Sequence, residues 1–169
     1  AGGRVHLFPA IEIEDVPQIK NQFVATGKVS LEMRNLVRDP MDLTAAMLAR
    51  CGGKGRFFGN HRQLMATQAQ WANGSKLSKA TIDLLEAQNI VGFMQGAYTE
   101  LGLDKIMAQR GVTAAQGKAC LADKAAFGTI IKMTDEATDV LKINSTPTLL
   151  INGKIVEGHD FATLKPLLS

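Results

Sequence analysis

The sequence has few cysteines, no long apolar run and no obvious metal site. Its two cysteines, Cys51 and Cys120, lie 69 positions apart, and no Cys-x-x-Cys motif occurs anywhere in the 169 residues. Neither cysteine has a second cysteine or a histidine at the spacing of a zinc site, so we expect no metal. No apolar run approaches the roughly 20 residues that a membrane-spanning helix needs.

Aromatic residues are also scarce, at 5% of the chain, and the net charge is only +3. The Lys and Arg residues look scattered along the sequence, and scattered cations are ordinarily solvated, so we expect no nucleic-acid partner. The sequence contains no signal peptide, and its start at Ala1-Gly2-Gly3 looks trimmed, which is compatible with a removed export signal. A hydrophobic content of 46% suffices for one sizeable core.

The strongest local pattern lies near the C-terminus, in residues 142–156. Two short apolar runs, 148–151 and 154–156, flank Asn152-Gly153, a pair that tolerates the positive φ angles of a type I′ turn. Pro147 opens the first run, because a proline cannot donate to a strand ladder. Asp160 is a suitable N-cap for a short helix over 161–168, which Pro166 should kink or end early. The sequence therefore predicts an antiparallel hairpin followed by a helix.

The N-terminal part predicts a strand, a helix and a second strand. Residues 4–8 and 28–36 alternate between apolar and polar side chains, as half-buried strands do. Residues 11–24 carry apolar side chains at helical spacing, with Pro17 expected to kink the helix and Gly27 to end it. This order is typical of a right-handed βαβ unit.

From Asp39 to about residue 141 the pattern is helical, beginning with Asp39-Pro40 as N-cap and first helical residue. Further helices are predicted over 57–71, 78–97, 103–109, 113–121 and 125–141. These hundred or so residues far exceed a simple crossover. The order of the elements in 1–38 and 142–169 resembles that of the thioredoxin fold. We therefore predict an α/β fold, a thioredoxin fold formed by these two segments, with an all-helical domain, 39–141, inserted into it.

This arrangement resembles the DsbA-like thiol–disulfide oxidoreductases of the thioredoxin superfamily. The segments KVSLEMRNLVRDPMDLTAAMLARC and STPTLLINGKIV are particularly similar to the alphaproteobacterial branch. The resemblance implies a periplasmic enzyme that needs no cofactor and acts on cysteine-containing secreted proteins or peptides, with a membrane redox partner. It also implies that the Thr146–Pro147 bond is cis, whereas the residues alone favour an ordinary trans proline at the start of the strand. Both residues are then expected to bind the substrate main chain.

The resemblance further favours a structural disulfide between Cys51 and Cys120, and the alternative is two buried free thiols. Lone histidines do not make a catalytic triad, so structural or solvated roles are expected for His6, His61 and His159.

The Cys-x-x-Cys motif of this family should stand at the start of the first helix, where the helix dipole favours a thiolate. Here the predicted strand runs into Pro9 and the helix with no cysteine, so no catalytic residue is assigned. We interpret this as an omission near Pro9 rather than an evolutionary loss. The leading hypothesis is an envelope oxidoreductase or isomerase, and the alternative is a catalytically silent binding or chaperone-like module. The third hypothesis is a kappa-type glutathione-dependent enzyme. Enzymes of that type use a serine at the start of the first helix, and no serine precedes Ser30, so this hypothesis ranks last.

Overall fold

A computed structural model describes residues 15–158 and 160–168 of the chain. The predicted strand over 4–8, the start of the first predicted helix, His6 and His159 lie outside the described residues. The chain divides into two compact units. We call Asn35–Glu136 the helical unit, and the described residues up to Arg34 and from Ala137 onward the hairpin unit. These boundaries differ by four or five residues from the predicted ones.

Ten α-helices and two strands are assigned among the described residues, with short π- and 3₁₀-helical turns attached to them. In chain order they are α1 Val16–Ile19, α2 Pro40–Ala49, α3 Phe57–Ala66, α4 Gln68–Trp71, α5 Lys79–Glu86, α6 Ile90–Glu100, α7 Leu103–Ala108, α8 Ala114–Leu121, α9 Lys124–Asp135, β1 Leu149–Ile151, β2 Lys154–Val156 and α10 Phe161–Leu164. The π-helical turns are Lys20–Val24 and Glu136–Val140, and the 3₁₀ turns are Lys54–Arg56, Gly74–Lys76 and Lys165–Leu167. None of these helices is both long and apolar enough to span a membrane.

Local capping chemistry sets where the helices of the helical unit begin. The Asp39 side chain accepts hydrogen bonds from the backbone N–H groups of Met41 and Asp42, and Pro40 is the first residue of α2, as predicted. Thr113 and Gln116 form a reciprocal capping box at the start of α8. These bonds satisfy N–H groups that have no partner inside their own helix, which makes the helix starts well defined.

Two helices that were predicted as single segments are divided in the structure. Over 57–71, α3 and α4 are separated at Thr67. The sequence suggested a single helix over 78–97, whereas the structure has α5 and α6 with a break between them. Gln88 adopts φ +54° at this break, and the Asn89 side chain caps α6 by accepting from the Gly92 N–H. An asparagine N-cap offers the backbone an alternative to continuing the helix, and this local bond ends the predicted segment early.

The core of the helical unit is built around α2 and α6. Seven consecutive residues of α2, from Leu43 to Ala49, are buried. Helix α6 contributes Phe93, Met94, Ala97 and Tyr98 to the same apolar cluster. Met47, Met94 and Trp71 are among its buried residues, and the flexible methionine side chains suit the packing of an irregular core.

Tyr98 is the largest side chain that is fully buried, and a glycine makes room for it. Gly117 on α8 lies directly against the Tyr98 phenol, where a Cβ atom would overlap with the ring and its oxygen. Burial raises the pKa of Tyr98, and the Asp104 carboxylate raises this pKa further. The close approach of α8 to α6 therefore depends on the missing side chain at Gly117.

The hairpin unit has its own small apolar core. Ile19, Phe23, Phe161 and Leu164 form its centre. The hairpin packs against this centre through Leu149, Ile151 and Val156. Gly27 follows the first helical segment with φ +73°, as expected for its C-terminal glycine.

The predicted N-cap of the last helix and its early end near Pro166 are confirmed. Asp160 accepts from the Thr163 N–H at 2.8 Å, and α10 gives way to a 3₁₀ turn that contains Pro166.

The second predicted strand is only partly confirmed. Side chains 29–34 alternate between half-buried and exposed, and Val29 and Leu31 pack on the core of the hairpin unit. However, residues 29–38 carry no strand assignment, and the described part of the chain has a two-stranded sheet of β1 and β2. Alternation predicts which side chains face the core, whereas a strand also needs a hydrogen-bonded neighbour. The segment predicted to precede it, 4–8, is not among the described residues.

Replacing Gly117 by alanine should destabilise the protein. The added methyl group would overlap with a rigid, fully buried ring, so we expect the free energy of unfolding to fall by about 1–3 kcal/mol. Gly128→Ala in α9 is the matched control, because no atom lies within 4 Å of its Cβ position. That change should be neutral or raise stability by up to about 1 kcal/mol, through helix propensity alone. Urea denaturation of the two variants measures both values, and equal effects would contradict the packing described for Tyr98.

Candidate functional site

The loop that precedes the hairpin is the candidate site; we call residues 144–148 the proline loop. The Thr148 hydroxyl donates to the Ser145 carbonyl at 2.7 Å and closes the loop on itself. Upstream, the Ile143 N–H donates to the Ala137 carbonyl at 2.8 Å, and Lys142 adopts φ +56°. The downstream end continues directly into β1 at Leu149. The loop is thus held at both ends by ordered backbone.

The second feature of the proline loop is the backbone of Thr146. Thr146 and Pro147 are half-buried, and the peptide bond between them is cis. No described residue forms a hydrogen bond with the Thr146 N–H or carbonyl. A strand-like peptide could therefore pair with both groups, as in recognition by strand addition.

The paired β1–β2 hairpin holds the C-terminal end of the proline loop. Residues Leu149, Leu150 and Ile151 pair with Val156, Ile155 and Lys154, leaving Asn152 and Gly153 as the two-residue turn. Asn152 has φ +50° and Gly153 has φ +78°, as a type I′ turn requires, so the predicted hairpin is confirmed.

The two cysteines form a disulfide in the helical unit. Cys51 and Cys120 are bonded, with their Cα atoms 5.6 Å apart, and the alternative of two free thiols is excluded. The bond ties the end of α2 to α8. Beside it, the fully buried Asn60 donates through Nδ2 to the Cys51 carbonyl at 2.8 Å. Because both cysteines are bonded, the 169 residues contain no free thiol.

Among the described residues, His61 is the remaining candidate from the sequence, and it belongs to no metal-binding group. The His61 ring lies against the Phe57 ring, with centroids 5.6 Å apart, and is half-buried in α3. Across residues 15–158 and 160–168, no three His, Cys, Asp or Glu side chains are placed to hold a metal ion. The proline loop is therefore the feature of the described chain that can be related to a known chemistry.

The two units together indicate the class of protein to which the chain belongs, because a thioredoxin-type hairpin unit is combined with a large helical unit. The thioredoxin family model (Thioredoxin_4) matches residues 12–169, so the chain belongs to the thioredoxin family. The structure resembles the crystal structure of a protein-disulfide isomerase from Novosphingobium aromaticivorans, with 31% sequence identity and a TM-score of 0.82. That similarity covers 96% of this chain and 84% of the other. The predicted DsbA-like fold, a thioredoxin fold with a helical insertion, is confirmed.

Curated relatives come from Rickettsia species and are named "putative protein-disulfide oxidoreductase". The protein of Rickettsia bellii is 26% identical over 149 residues, which is 88% of this chain and 49% of the relative. The protein of Rickettsia prowazekii is 25% identical over 144 residues, or 85% of this chain and 45% of the relative. The chain thus spans about half the length of the curated relatives it matches.

The disulfide should contribute measurably to stability. Closing so long a loop restricts the unfolded chain, so we expect the Cys51→Ala/Cys120→Ala variant to lose about 2–4 kcal/mol in the free energy of unfolding. Dithiothreitol should lower the stability of the wild type and leave the double variant unchanged. Mass spectrometry of unreduced, alkylated wild type should find no modified cysteine. Two alkylated cysteines would contradict the bond.

Proposed function

We propose that this chain is the thioredoxin-fold part of a DsbA-like protein thiol–disulfide oxidoreductase or isomerase of the bacterial envelope. The observation that carries the proposal is the proline loop, which sits at the entrance of the hairpin with the Thr146 backbone free to pair. The names of the relatives, protein-disulfide oxidoreductase and protein-disulfide isomerase, support the same class of activity.

The reaction of this class is thiol–disulfide exchange and needs no cofactor. A substrate thiolate attacks one sulfur of the enzyme disulfide, forming a mixed disulfide and releasing an enzyme thiolate. A second substrate thiolate then attacks the mixed disulfide and releases the other enzyme sulfur. Two electrons pass to the enzyme pair, and two protons leave the substrate thiols for the enzyme thiols or solvent. The reverse sequence reduces or isomerises substrate disulfides.

A redox pair at the start of the first helix completes this proposal. The sequence printed here has no Cys-x-x-Cys, and Cys51 and Cys120 are already bonded to each other. We place the pair beside Pro9, ahead of the first predicted helix, of which the structure describes Val16–Ile19. There the N-terminal helix dipole would lower the pKa of the first thiol and keep it as a thiolate.

Thr146 and Pro147 are the proposed substrate-binding residues. The free N–H and carbonyl of Thr146 would form main-chain hydrogen bonds with an extended substrate, so recognition would depend little on substrate sequence. Pro147 would restrict the backbone at this position through its fixed φ of about −65°. The substrates are cysteine-containing secreted proteins or peptides, and a membrane redox partner would restore the enzyme.

The disulfide of the helical unit favours an oxidising compartment for the protein. The Cys51–Cys120 disulfide is formed, and such bonds persist in the periplasm and outside the cell, where no glutathione system keeps thiols reduced. We therefore assign the protein to the periplasm.

A second candidate function is a binding or chaperone-like module without redox chemistry. The observation that favours it is the lack of a free thiol in the 169 residues. Such a module would keep the proline loop and bind extended peptides without turning over disulfides. The two candidates differ in whether the gene encodes cysteines ahead of Ile11.

Turnover experiments separate the two candidates. The 169-residue chain should not catalyse insulin reduction by dithiothreitol, because it offers no redox pair. Inserting Cys-x-x-Cys between Pro9 and Ala10 should produce catalysis, and an inserted Ser-x-x-Ser is the matched control. A silent insertion variant that is folded and still binds peptide would support the module instead. Turnover by the chain as printed would contradict the structural role of Cys51 and Cys120.

Peptide binding tests the proline loop directly. Pro147→Ala frees the backbone beside Thr146, so affinity for an extended, alkylated cysteine peptide should fall about three- to tenfold, which corresponds to one or two net hydrogen bonds. Lys154→Ala changes an exposed residue of the same hairpin and should leave the affinity unchanged. Fluorescence anisotropy measures both values. Equal affinities for the two variants would remove Pro147 from the site.

A further inference from the structure

The charges of the helical unit are unevenly distributed along the sequence. Between Asp42 and Asp83 there are six Lys and Arg residues and no Asp or Glu, although the whole chain has 19 Lys and Arg against 16 Asp and Glu. The remainder of the chain therefore carries more acidic than basic residues. The net charge of the whole chain is only +3, but residues 43–82 form a strongly basic segment.

Folding places Arg110, which lies outside this basic segment in the sequence, next to Arg56. The Arg56 Nη1 group donates to the Arg110 carbonyl at 3.1 Å, across 54 positions of sequence. The stem of Arg56 packs on Gly52, where its Cδ lies 2.6 Å from the position that a Cβ would occupy. Nearby, the Gln63 side chain donates to Gln109 at 2.9 Å. The start of α3 and the end of α7 are thus held together, and both carry an arginine.

Gly59 in α3 leaves room for the Arg110 guanidinium beside the helix backbone. The guanidinium lies against Gly59 so closely that a Cβ atom there would overlap with it. Arg56 and Arg62 lie three residues before and after Gly59, a spacing that puts residues on neighbouring parts of one helix face. The Arg110 guanidinium therefore lies on α3 about one helical turn from Arg62, and the Arg110 carbonyl is bonded to Arg56. Lys54, two residues before Arg56, adds a fourth exposed cation.

Within the described part of the chain, these cations make no ion pair with a carboxylate. Lys54, Arg56, Arg62 and Arg110 are exposed, and none of them has a carboxylate of the described residues within 4 Å. By contrast, Lys79 is paired with Asp83 at 2.7 Å on α5. Neighbouring like charges repel one another, so a fold that keeps them together without an anion loses stability. An external anion would offset that repulsion.

We propose that these four residues, which we call the basic surface, bind an acidic segment of a partner polypeptide. The planar guanidinium groups of arginine match carboxylates in a two-bond geometry that a lysine cannot reproduce. The proposal goes beyond the redox function, because the basic surface lies in the helical unit and uses no thiol. It identifies the partner by its chemistry, a run of Asp or Glu side chains.

Other polyanions fit the basic surface less well. Single-stranded nucleic acids are usually bound with exposed aromatic rings on which bases stack, whereas Phe57 and Phe58 beside the basic surface are partly buried. Membrane surfaces are usually bound with apolar side chains next to the cations. Among the described residues, the exposed large apolar side chains are Ile82, Val140, Leu150, Ile155 and Leu167, and of these only Ile82 belongs to the helical unit.

Binding of a short oligoglutamate peptide to the 169-residue chain tests the proposal. Fluorescence anisotropy at low ionic strength should show saturable binding, which weakens as sodium chloride is added. Lys54→Gln/Arg62→Gln should raise Kd about three- to tenfold, because exposed ion pairs are individually weak. Arg56→Gln/Arg110→Gln should raise it at least as much, and thermal melts show whether loss of the 3.1 Å bond also affects folding. Even if that variant is unstable, the Lys54/Arg62 pair keeps the test valid.

The matched control removes the same charge elsewhere. Lys124→Gln/Lys132→Gln changes two exposed lysines of α9 and should leave Kd within about twofold of wild type. Equal loss in control and test variants would show unspecific attraction and overturn the proposal. No binding of oligoglutamate would overturn it as well. Tighter binding of a single-stranded oligonucleotide, or of vesicles with anionic lipids, at the same ionic strength would assign the surface to a different partner. None of these results depends on a redox pair.

Discussion

The turn at Asn152 and Gly153 fixes the register of the hairpin, and the hairpin unit depends on that register. Two residues with positive φ join β1 to β2 and place Leu149 opposite Val156. A slip of one residue would turn Leu149 and Ile151 away from Phe161 and the rest of the small core. The same register decides how the proline loop enters β1, and so where the Thr146 backbone is presented.

The helical unit is held by a different combination of forces. Its core is continuous from α2 to α6, and two local features bring α8 against it: the absent side chain at Gly117 and the Cys51–Cys120 bond. A small unit of short helices gains little from helix propensity, so packing and the cross-link supply most of its stability. The basic surface lies on this unit because α3 and α7 are packed together there.

Features set by local chemistry could be predicted from the sequence. The Asn152–Gly153 turn and the Asp39–Pro40 helix start each need only a few neighbouring residues, and both are confirmed. The class of fold followed from the order of such elements and from family resemblance. The Gln88 break was missed, because the residue carries no glycine or proline signal and its neighbour Asn89 was not recognised as a cap.

Features that depend on distant residues could not be predicted in the same way. The strand over 28–36 was only half right, since burial alternates as expected and strand pairing is a property of two segments. The basic surface was missed for a similar reason. Arg110 joins Arg56 only after folding, although the lack of acidic residues from position 43 to 82 was a signal available in the sequence.

The central claim is that the Thr146 backbone binds extended polypeptide. An NMR titration of the isotope-labelled chain with an alkylated cysteine peptide tests it most directly, because the peptide cannot undergo disulfide exchange. The Thr146 amide should show one of the largest chemical-shift changes, and its hydrogen exchange should slow as the N–H gains a partner. An unchanged Thr146 amide in a chain that demonstrably binds the peptide would contradict it.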